Sequence, residues 1–269
     1  MRLLTLGLVL LVGCGPRPTA PGEPEEDIYG NDISMSGAGS SPGKSDLDKV
    51  RSADISILFV GNSHTRGHNL PNLIGKMIQF RHPDKKVYSH YFNVIFLEDV
   101  ARNPRCKEEI DSRPWKYVVL QAQKISVSGR EDYSRKEGID IAKLAKARGA
   151  TVLFYSEWGL KGVEGDGLRQ EKIYQEMAQD AGVRVAPIGR AWDLALGERP
   201  EMALHAPDGN HQSRLGAFLT ACVFYGLLTG ESPEELASFP YLKDEEVSKF
   251  LADAAARTLA RLGKDGGKP

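Results

Sequence analysis

Two hydrophobic patterns alternate along most of the chain. Short runs rich in apolar and β-branched residues predict strands. These runs are residues 55–60, 86–92, 117–121, 151–155 and 183–186. Stretches with apolar residues three and four positions apart predict amphipathic helices. These stretches are residues 70–78, 98–110 (interrupted by Pro104), 132–148, 168–181, 213–228 and 244–262. The alternation predicts the α/β class: a three-layer α/β/α sandwich with about five parallel strands.

The beginning of the chain follows neither pattern. Met1-Arg2 gives a positive start, and residues 3–12 are mostly apolar but too few to cross a bilayer as a helix. We therefore expect a signal peptide at residues 1–13. Residues 14–48 are rich in Pro, Gly and Ser and predict a flexible linker. The folded domain is then expected at residues 49–265.

Leu11-Val12-Gly13-Cys14 resembles the lipobox of bacterial lipoproteins. The resemblance implies cleavage before Cys14, lipidation of Cys14, and export to the cell envelope on an N-terminal membrane anchor. Gly15 is not the Asp that marks retention at the inner membrane, which favours the outer membrane. An ordinary secretory signal with an incidental cysteine is the alternative.

Export permits disulfides, but Cys222 lies in an apolar stretch, so we expect Cys106 and Cys222 to be buried free thiols.

Composition narrows the classes of partner. The 269 residues are 41% hydrophobic and 26% charged, which is ordinary for a globular protein. The formal net charge of −1 gives no electrostatic case for a nucleic-acid partner.

Two short segments carry candidate chemistry. Ser63 follows the first predicted strand in Gly61-Asn62-Ser63-His64-Thr65, where open α/β sheets bind ligands. Asp208-Gly209-Asn210-His211 lies far along the chain and supplies a base with a carboxylate three residues before it. The alternative for Ser63 is a helix N-cap, and the alternative for the second segment is a surface turn.

These segments resemble the first and last sequence blocks of the SGNH (GDSL-like) hydrolases, Gly-Asp-Ser-x-(Ser/Thr) and Asp-x-x-His. Val118-Val119-Leu120-Gln121-Ala122-Gln123 resembles a middle segment of one branch of that family. The resemblance implies a flavodoxin-like fold and an esterase or lipase that acts without metal or other cofactor.

Carried over by position, the resemblance implies that Ser63 is the nucleophile, His211 the base and Asp208 its orienter. The oxyanion donors would be the Ser63 amide and a glutamine side chain. Gln123 is preferred over Gln121 because it lies further toward the carboxyl edge of the sheet. The family's second block has a glycine amide that this chain lacks, and Asn93 is the candidate substitute because Asn tolerates a left-handed backbone.

Other residues near the same edge are assigned more simply. Trp158 is expected either to form a wall of the substrate pocket or to pack structurally. His64 and His68 are four residues apart, but no nearby Asp, Glu or Cys completes a metal site, so both are expected to line a pocket.

The sequence thus predicts an exported serine esterase that cleaves a small-molecule or polysaccharide ester, for example O-acetyl groups on carbohydrate. One alternative is a binding lipoprotein that keeps the fold without catalysis. The other is an acyltransferase of the same fold.

Overall fold

A parallel sheet forms the centre of the structure, a computed structural model that describes residues 44–126 and 130–264. Its strands are β1 (Ile55–Gly61), β2 (Val87–Asn93), β3 (Tyr117–Leu120), β4 (Thr151–Tyr155) and β5 (Arg184–Ala186). They lie in the order β2-β1-β3-β4-β5, and every neighbouring pair is parallel. All seven residues of β1 are buried, because helices cover both faces of the sheet.

Helices fill the connections between strands. They are α1 (Lys44–Ser52), α2 (Ser63–Arg66), α3 (Leu70–Arg81), α4 (Pro104–Asp111), α5 (Lys136–Ala147), α6 (Asp166–Ala181), α7 (Ile188–Glu198), α8 (Arg214–Thr229) and α9 (Glu245–Lys264). Short 3₁₀ turns occur at Gly67–Asn69, Leu97–Arg102 and Pro233–Leu236.

Alternate side chains of each strand face opposite helical layers. Leu58 and Phe154 share one apolar cluster with residues of α1, α4, α5 and α6. On the other face, Phe59 and Tyr155 pack edge-to-face against Phe224 of α8, with ring centroids 5.9 and 5.2 Å apart. Helix α8 in turn contacts α3 and α9. The arrangement is the predicted three-layer α/β/α sandwich, with the flavodoxin-like strand order.

The order of the strands positions the candidate site. The chain reverses direction across the sheet between β1 and β3, and ligands in such sheets bind beyond the carboxyl ends of the strands at that point. Gly61 pairs with Asn93 of β2, and Val60 pairs with Leu120 of β3. The residues that follow these strands therefore meet at one edge.

Several element boundaries differ from the sequence prediction. Helix α1 begins at Lys44, ahead of the predicted domain start at residue 49, and α5 begins at Lys136 instead of 132. Helix α7 was not predicted, although its buried residues Ile188, Ala191, Trp192 and Ala195 have helical spacing. The predicted signal peptide and Cys14 lie outside the described residues and remain predictions.

Cys106 and Cys222 are both free and buried, as predicted. Burial raises the pKa of the Cys106 thiol to about 12. Across the ranges that the structure describes, no helix combines the length and apolar character needed to span a bilayer.

Candidate active site

Ser63 lies in a sharp turn, residues 61–65, at the carboxyl end of β1. Asn62 caps helix α2, and Ser63 is the first residue of that helix. The Asn62 side-chain oxygen accepts a hydrogen bond from the His64 amide at 3.1 Å. Because Asn62 is the cap, the alternative role of Ser63 as an N-cap does not hold.

Gly61 allows this turn to form. A Cβ atom at Gly61 would lie 2.3 Å from Thr65 Oγ1 and 2.4 Å from Gln121 Oε1. These two atoms are themselves joined by a buried hydrogen bond of 2.7 Å, so neither moves aside easily. The turn therefore requires glycine for the close approach of its neighbours.

The structure brings Ser63, His211 and Asp208 into one hydrogen-bonded chain. His211 Nε2 lies 2.8 Å from Ser63 Oγ, and His211 Nδ1 lies 2.6 Å from Asp208 Oδ2. The other carboxylate oxygen, Asp208 Oδ1, accepts from the amides of Asn210 and His211, each at 2.9 Å. The surface turn that was the alternative for residues 208–211 is present, and its hydrogen bonds orient the side chains of Asp208 and His211.

Charge fixes the direction of these hydrogen bonds. The hydrogen bond from the His211 ring, together with those from the Asn210 and His211 amides, holds the pKa of Asp208 well below its usual range. Asp208 is therefore a carboxylate at neutral pH and can only accept. His211 Nδ1 donates to it, which leaves Nε2 free to accept the Ser63 hydroxyl proton.

Gln121, and not Gln123, lies against the Ser63 turn. Gln121 Oε1 accepts from the Asn62 amide at 2.8 Å and from the Thr65 hydroxyl. Its Nε2 donates to Asn62 Oδ1 at 2.9 Å and to the Glu157 carboxylate. Gln121 is fully buried, and its amide hydrogens are engaged in holding the turn.

The preference for Gln123 as an oxyanion donor is not supported by the geometry. Gln123 Nε2 donates to the carbonyls of Lys124 and Ser134 at 3.1 and 3.0 Å, which accounts for both of its hydrogens. Ala122 has a left-handed backbone with φ of 83°, which ends the strand alternation after β3. In an unbroken strand Gln121 and Gln123, two residues apart, would share a face. The turn at Ala122 separates them.

Asn93 does not replace the missing glycine in the expected way. It lies within β2, paired with Gly61, and it is not among the described residues with positive φ. The next amide, that of Val94, donates to the Gly61 carbonyl at 2.9 Å, so the Asn93 amide points to the open side of this edge strand. The Asn93 side chain instead accepts from the Tyr91 hydroxyl at 2.8 Å.

Ile95 lies two residues after Asn93, just beyond the end of β2, and the sequence analysis did not single it out. Its carbonyl accepts from Asn62 Nδ2 at 3.3 Å, which ties the segment to the Ser63 turn. The amides of Val94, Phe96 and Leu97 all have acceptors. The Ile95 amide has no acceptor among the described residues. Ile95 as a whole is 68% exposed.

Trp158 packs beneath the loop that carries His211 and does not form an open wall. It is only 3% exposed, and its ring stacks on Trp192 with centroids 4.1 Å apart. Its Nε1 donates to the Asn210 carbonyl at 2.9 Å. The packing alternative is therefore the one that this geometry matches.

Histidine clustering does not produce a metal site in the described ranges. No group of three or more His, Cys, Asp or Glu side chains there is arranged to hold an ion. His64 is buried against the catalytic candidates, and His68 Nε2 lies 3.1 Å from the Gln212 carbonyl.

Comparison with known proteins places the fold. No protein-family model matches the chain, and no curated protein matches its sequence. Solved structures do match. An acetylxylan esterase from Geobacillus stearothermophilus, crystallised as a catalytic mutant, aligns with a TM-score of 0.55 at 12% identity, over 66% of this chain and 96% of its own.

Two further solved structures have a similar fold. A proposed SGNH hydrolase from Slackia heliotrinireducens has a TM-score of 0.50 at 22% identity, over 64% of this chain and 97% of its own. A lipase/acylhydrolase from Enterococcus faecalis has a TM-score of 0.51 at 14% identity, over 65% and 96%. The fold is that of the SGNH hydrolases. At these identities the likeness concerns architecture, so the chemistry has to be argued from the residues themselves.

Proposed function

We propose that this protein is a serine esterase of the SGNH type. The observation that carries the proposal is the chain of hydrogen bonds from Ser63 Oγ through the His211 ring to Asp208, at 2.8 and 2.6 Å. A serine hydroxyl is a weak nucleophile until an adjacent base accepts its proton. Here the base is within hydrogen-bond reach and its opposite nitrogen is held by a carboxylate, which is the arrangement that acyl transfer requires.

The reaction proceeds in two halves. Ser63 Oγ attacks the ester carbonyl carbon while its proton passes to His211 Nε2, and the carbonyl oxygen becomes an oxyanion. The C–O bond to the alcohol then breaks, and the alcohol leaves with the proton from His211. Water repeats the sequence on the acyl-enzyme: His211 takes a proton from water, the acid leaves, and Ser63 recovers its proton. Asp208 stabilises the imidazolium in both halves.

Two backbone amides are the proposed oxyanion donors. The Ser63 amide is the first of helix α2, so no carbonyl of that helix accepts from it. The Ile95 amide is the second. The hydrogen bond from Asn62 Nδ2 to the Ile95 carbonyl holds this residue beside the Ser63 turn, and the Ile95 amide has no acceptor among the described residues. This assignment replaces Asn93 and Gln123, whose donors point elsewhere.

The proposed substrate is a short acyl ester on a carbohydrate, such as an O-acetyl group. Support comes from the esterases that share the fold, one of which acts on acetylxylan. The protein needs no cofactor in this mechanism. We also propose, from the lipobox resemblance, that it works in the cell envelope, held there by lipidated Cys14.

The test is hydrolysis of nitrophenyl acetate and butyrate by the purified chain, beside Ser63→Ala and His211→Ala. Removing either member of such a triad is expected to lower kcat by about 10⁶-fold, to the background left by binding and oxyanion donors. Activity that survives Ser63→Ala refutes the proposed nucleophile. An inactive parent that also resists a fluorophosphonate probe points to the binding lipoprotein, whereas faster transfer to an added sugar than to water points to the acyltransferase.

The anchor is tested separately. Expression with radiolabelled palmitate is expected to label the parent and not Cys14→Ser. Equal labelling of the two would refute lipidation at Cys14.

A further inference from the structure

His64 lies directly beneath the proposed catalytic base. It follows Ser63 in helix α2 and is only 8% exposed. Its ring stacks on the His211 ring, with centroids 4.9 Å apart and planes 19° from parallel. The triad itself makes no use of this side chain, and its burial requires an explanation.

Both ring nitrogens of His64 face oxygen atoms. Nε2 lies 3.3 Å from the Asn210 carbonyl, and since a carbonyl only accepts, Nε2 donates to it. Nδ1 lies 3.3 Å from Asn62 Oδ1 and 3.6 Å from a carboxylate oxygen of Glu157. Glu157 is held in turn by Gln121, whose amide also fixes Asn62. His64 therefore connects the Ser63 turn to the segment that carries His211.

Gln212, the residue after His211, already donates to the carbonyls of His64 and Gly67. The His64 side chain adds a second connection, nearer to the ring of His211, because the hydrogen bonds of Asp208 are local. Asp208 bonds to the amides of Asn210 and His211 and to the His211 ring, all within four consecutive residues. These bonds shape the loop but do not set its distance from Ser63. The Asn210 carbonyl lies inside this segment and receives donors from two other elements, Trp158 Nε1 at 2.9 Å and His64 Nε2.

We infer that His64 is a positioning residue that holds His211 at hydrogen-bonding distance from Ser63. It does so through the Asn210 carbonyl and by stacking on the His211 ring. The inference rests on the proposed esterase function. In this role His64 acts through His211 and does not bind the substrate. Loss of the His64 side chain is therefore expected to lower kcat with little change in KM.

Two amide substitutions separate the roles of the two nitrogens. In His64→Gln the side-chain amide reaches about as far as Nε2 and can still donate to Asn210. In His64→Asn the amide reaches only as far as Nδ1, so the contact to Asn210 is lost. We expect His64→Asn to lower kcat on the order of 10²-fold, as a misplacement near 1 Å does. His64→Gln is expected to keep about tenfold more activity than His64→Asn.

His82→Gln is the matched control. His82 also pairs with a carboxylate, Glu231 Oε2, at 2.8 Å, but it lies at the end of α3 away from the Ser63 turn. We expect its kcat and KM to equal those of the parent. Should His64→Asn fail to fold, His64→Phe replaces it, because it keeps a ring over His211 and removes both nitrogens.

A double substitution gives a measurement of kcat coupling that a general loss of stability would not produce. Trp158→Phe removes the other donor to the Asn210 carbonyl. If both donors hold one atom, the combined loss of kcat in His64→Asn/Trp158→Phe differs from the product of the single losses. The inference would be overturned if the kcat loss of the double variant equalled the product of the two single losses. It would also be overturned if His64→Asn and His64→Gln were equally active, or if His64→Asn left kcat unchanged. Failure of the parent itself to hydrolyse esters through Ser63 would refute the proposed function instead.

Discussion

Asp208→Asn is the substitution that tests most directly how the site sets the protonation of His211. Asn has nearly the same shape as Asp, and its oxygen can still accept from the amides of Asn210 and His211, which bond to Asp208 Oδ1 at 2.9 Å. The loop is therefore kept. The amide nitrogen then takes the place of Asp208 Oδ2, which lies 2.6 Å from His211 Nδ1.

The consequence is a change of tautomer. An amide nitrogen donates, so His211 Nδ1 must accept, and the ring proton moves to Nε2. Nε2 then donates to Ser63 Oγ and can no longer take its proton. Turning the amide over would restore an acceptor to His211 but would set two backbone donors against the amide nitrogen, so the loop itself resists that escape.

The expected loss can be bounded. In the triad of a serine protease, the wrong histidine tautomer lowers kcat by about 10⁴-fold. The Asp208 side chain here is 51% exposed. Water therefore competes for the His211 ring, and we expect a smaller loss of about 10²–10⁴-fold.

The assay is kcat for nitrophenyl acetate at pH 7 in the parent, Asp208→Asn and Asp208→Ala, with thermal unfolding of each. Asp208→Asn is expected to retain the melting temperature of the parent more closely than Asp208→Ala, yet to be no more active. Asp208→Asn activity within about tenfold of the parent would refute the reasoning, because the base would then not depend on this carboxylate for its tautomer.

Three further predictions concern Ile95, Gln121 and Asp166. Ile95→Pro removes the proposed oxyanion amide and is expected to lower kcat by about 10²–10³-fold, whereas Ile95→Ala keeps the amide and the activity. Gln121→Leu leaves the partly buried Asn62 amide and the buried Thr65 hydroxyl without their acceptor, and urea unfolding is expected to show a loss of about 1–3 kcal/mol in unfolding free energy. Burial would raise the pKa of Asp166, but hydrogen bonds led by that from the Leu160 amide lower it overall. Asp166→Ala is therefore expected to cost about 1–3 kcal/mol at pH 7.

The sign of the last prediction follows from linkage. A folded pKa below the unfolded value, about 3.9, means that the unfolded chain binds more protons as the solution is acidified. The contribution of Asp166 is complete above that value and is lost as pH falls through the lower folded pKa. The stability difference between parent and Asp166→Ala should then shrink in acid. A constant difference from pH 7 to pH 3 would contradict it, as equal activities of Ile95→Pro and Ile95→Ala would contradict the oxyanion assignment.

The elements that could be predicted from sequence are those whose signal is local. Strand β1 is a continuous apolar run, and α8 has both an apolar stretch and Ser213 as its N-cap, which accepts from the Leu215 and Gly216 amides. The position of Ser63 beyond β1 followed from the same pattern. Residues 208–211 were found because an orienter and a base three residues apart are visible without any knowledge of the fold.

The roles of the two glutamines could not be predicted, because they depend on one backbone angle. Alternation in an extended strand places residues 121 and 123 on one face. Ala122 adopts a left-handed conformation that its side chain disfavours, and nothing in its own sequence signals this. Its carbonyl accepts from the Leu97 amide at 2.8 Å, a contact between segments far apart in sequence. The conformation is thus set by tertiary packing.

His64 illustrates the same limit at the site itself. From sequence, a histidine next to a candidate nucleophile is predicted only to line a pocket. Its actual neighbours, Asn210 and Glu157, could not be predicted because they lie on segments far along the chain. The fold brings both to one edge of the sheet, and only then does each ring nitrogen acquire an oxygen neighbour from a distant segment. A proposed nucleophile and base on separate segments need contacts between those segments to fix their distance. In this chain the Gln212 side chain supplies some of them by donating to the carbonyls of His64 and Gly67. The His64 side chain, immediately after Ser63 where helix α2 begins, is proposed to supply the contact nearest to the His211 ring.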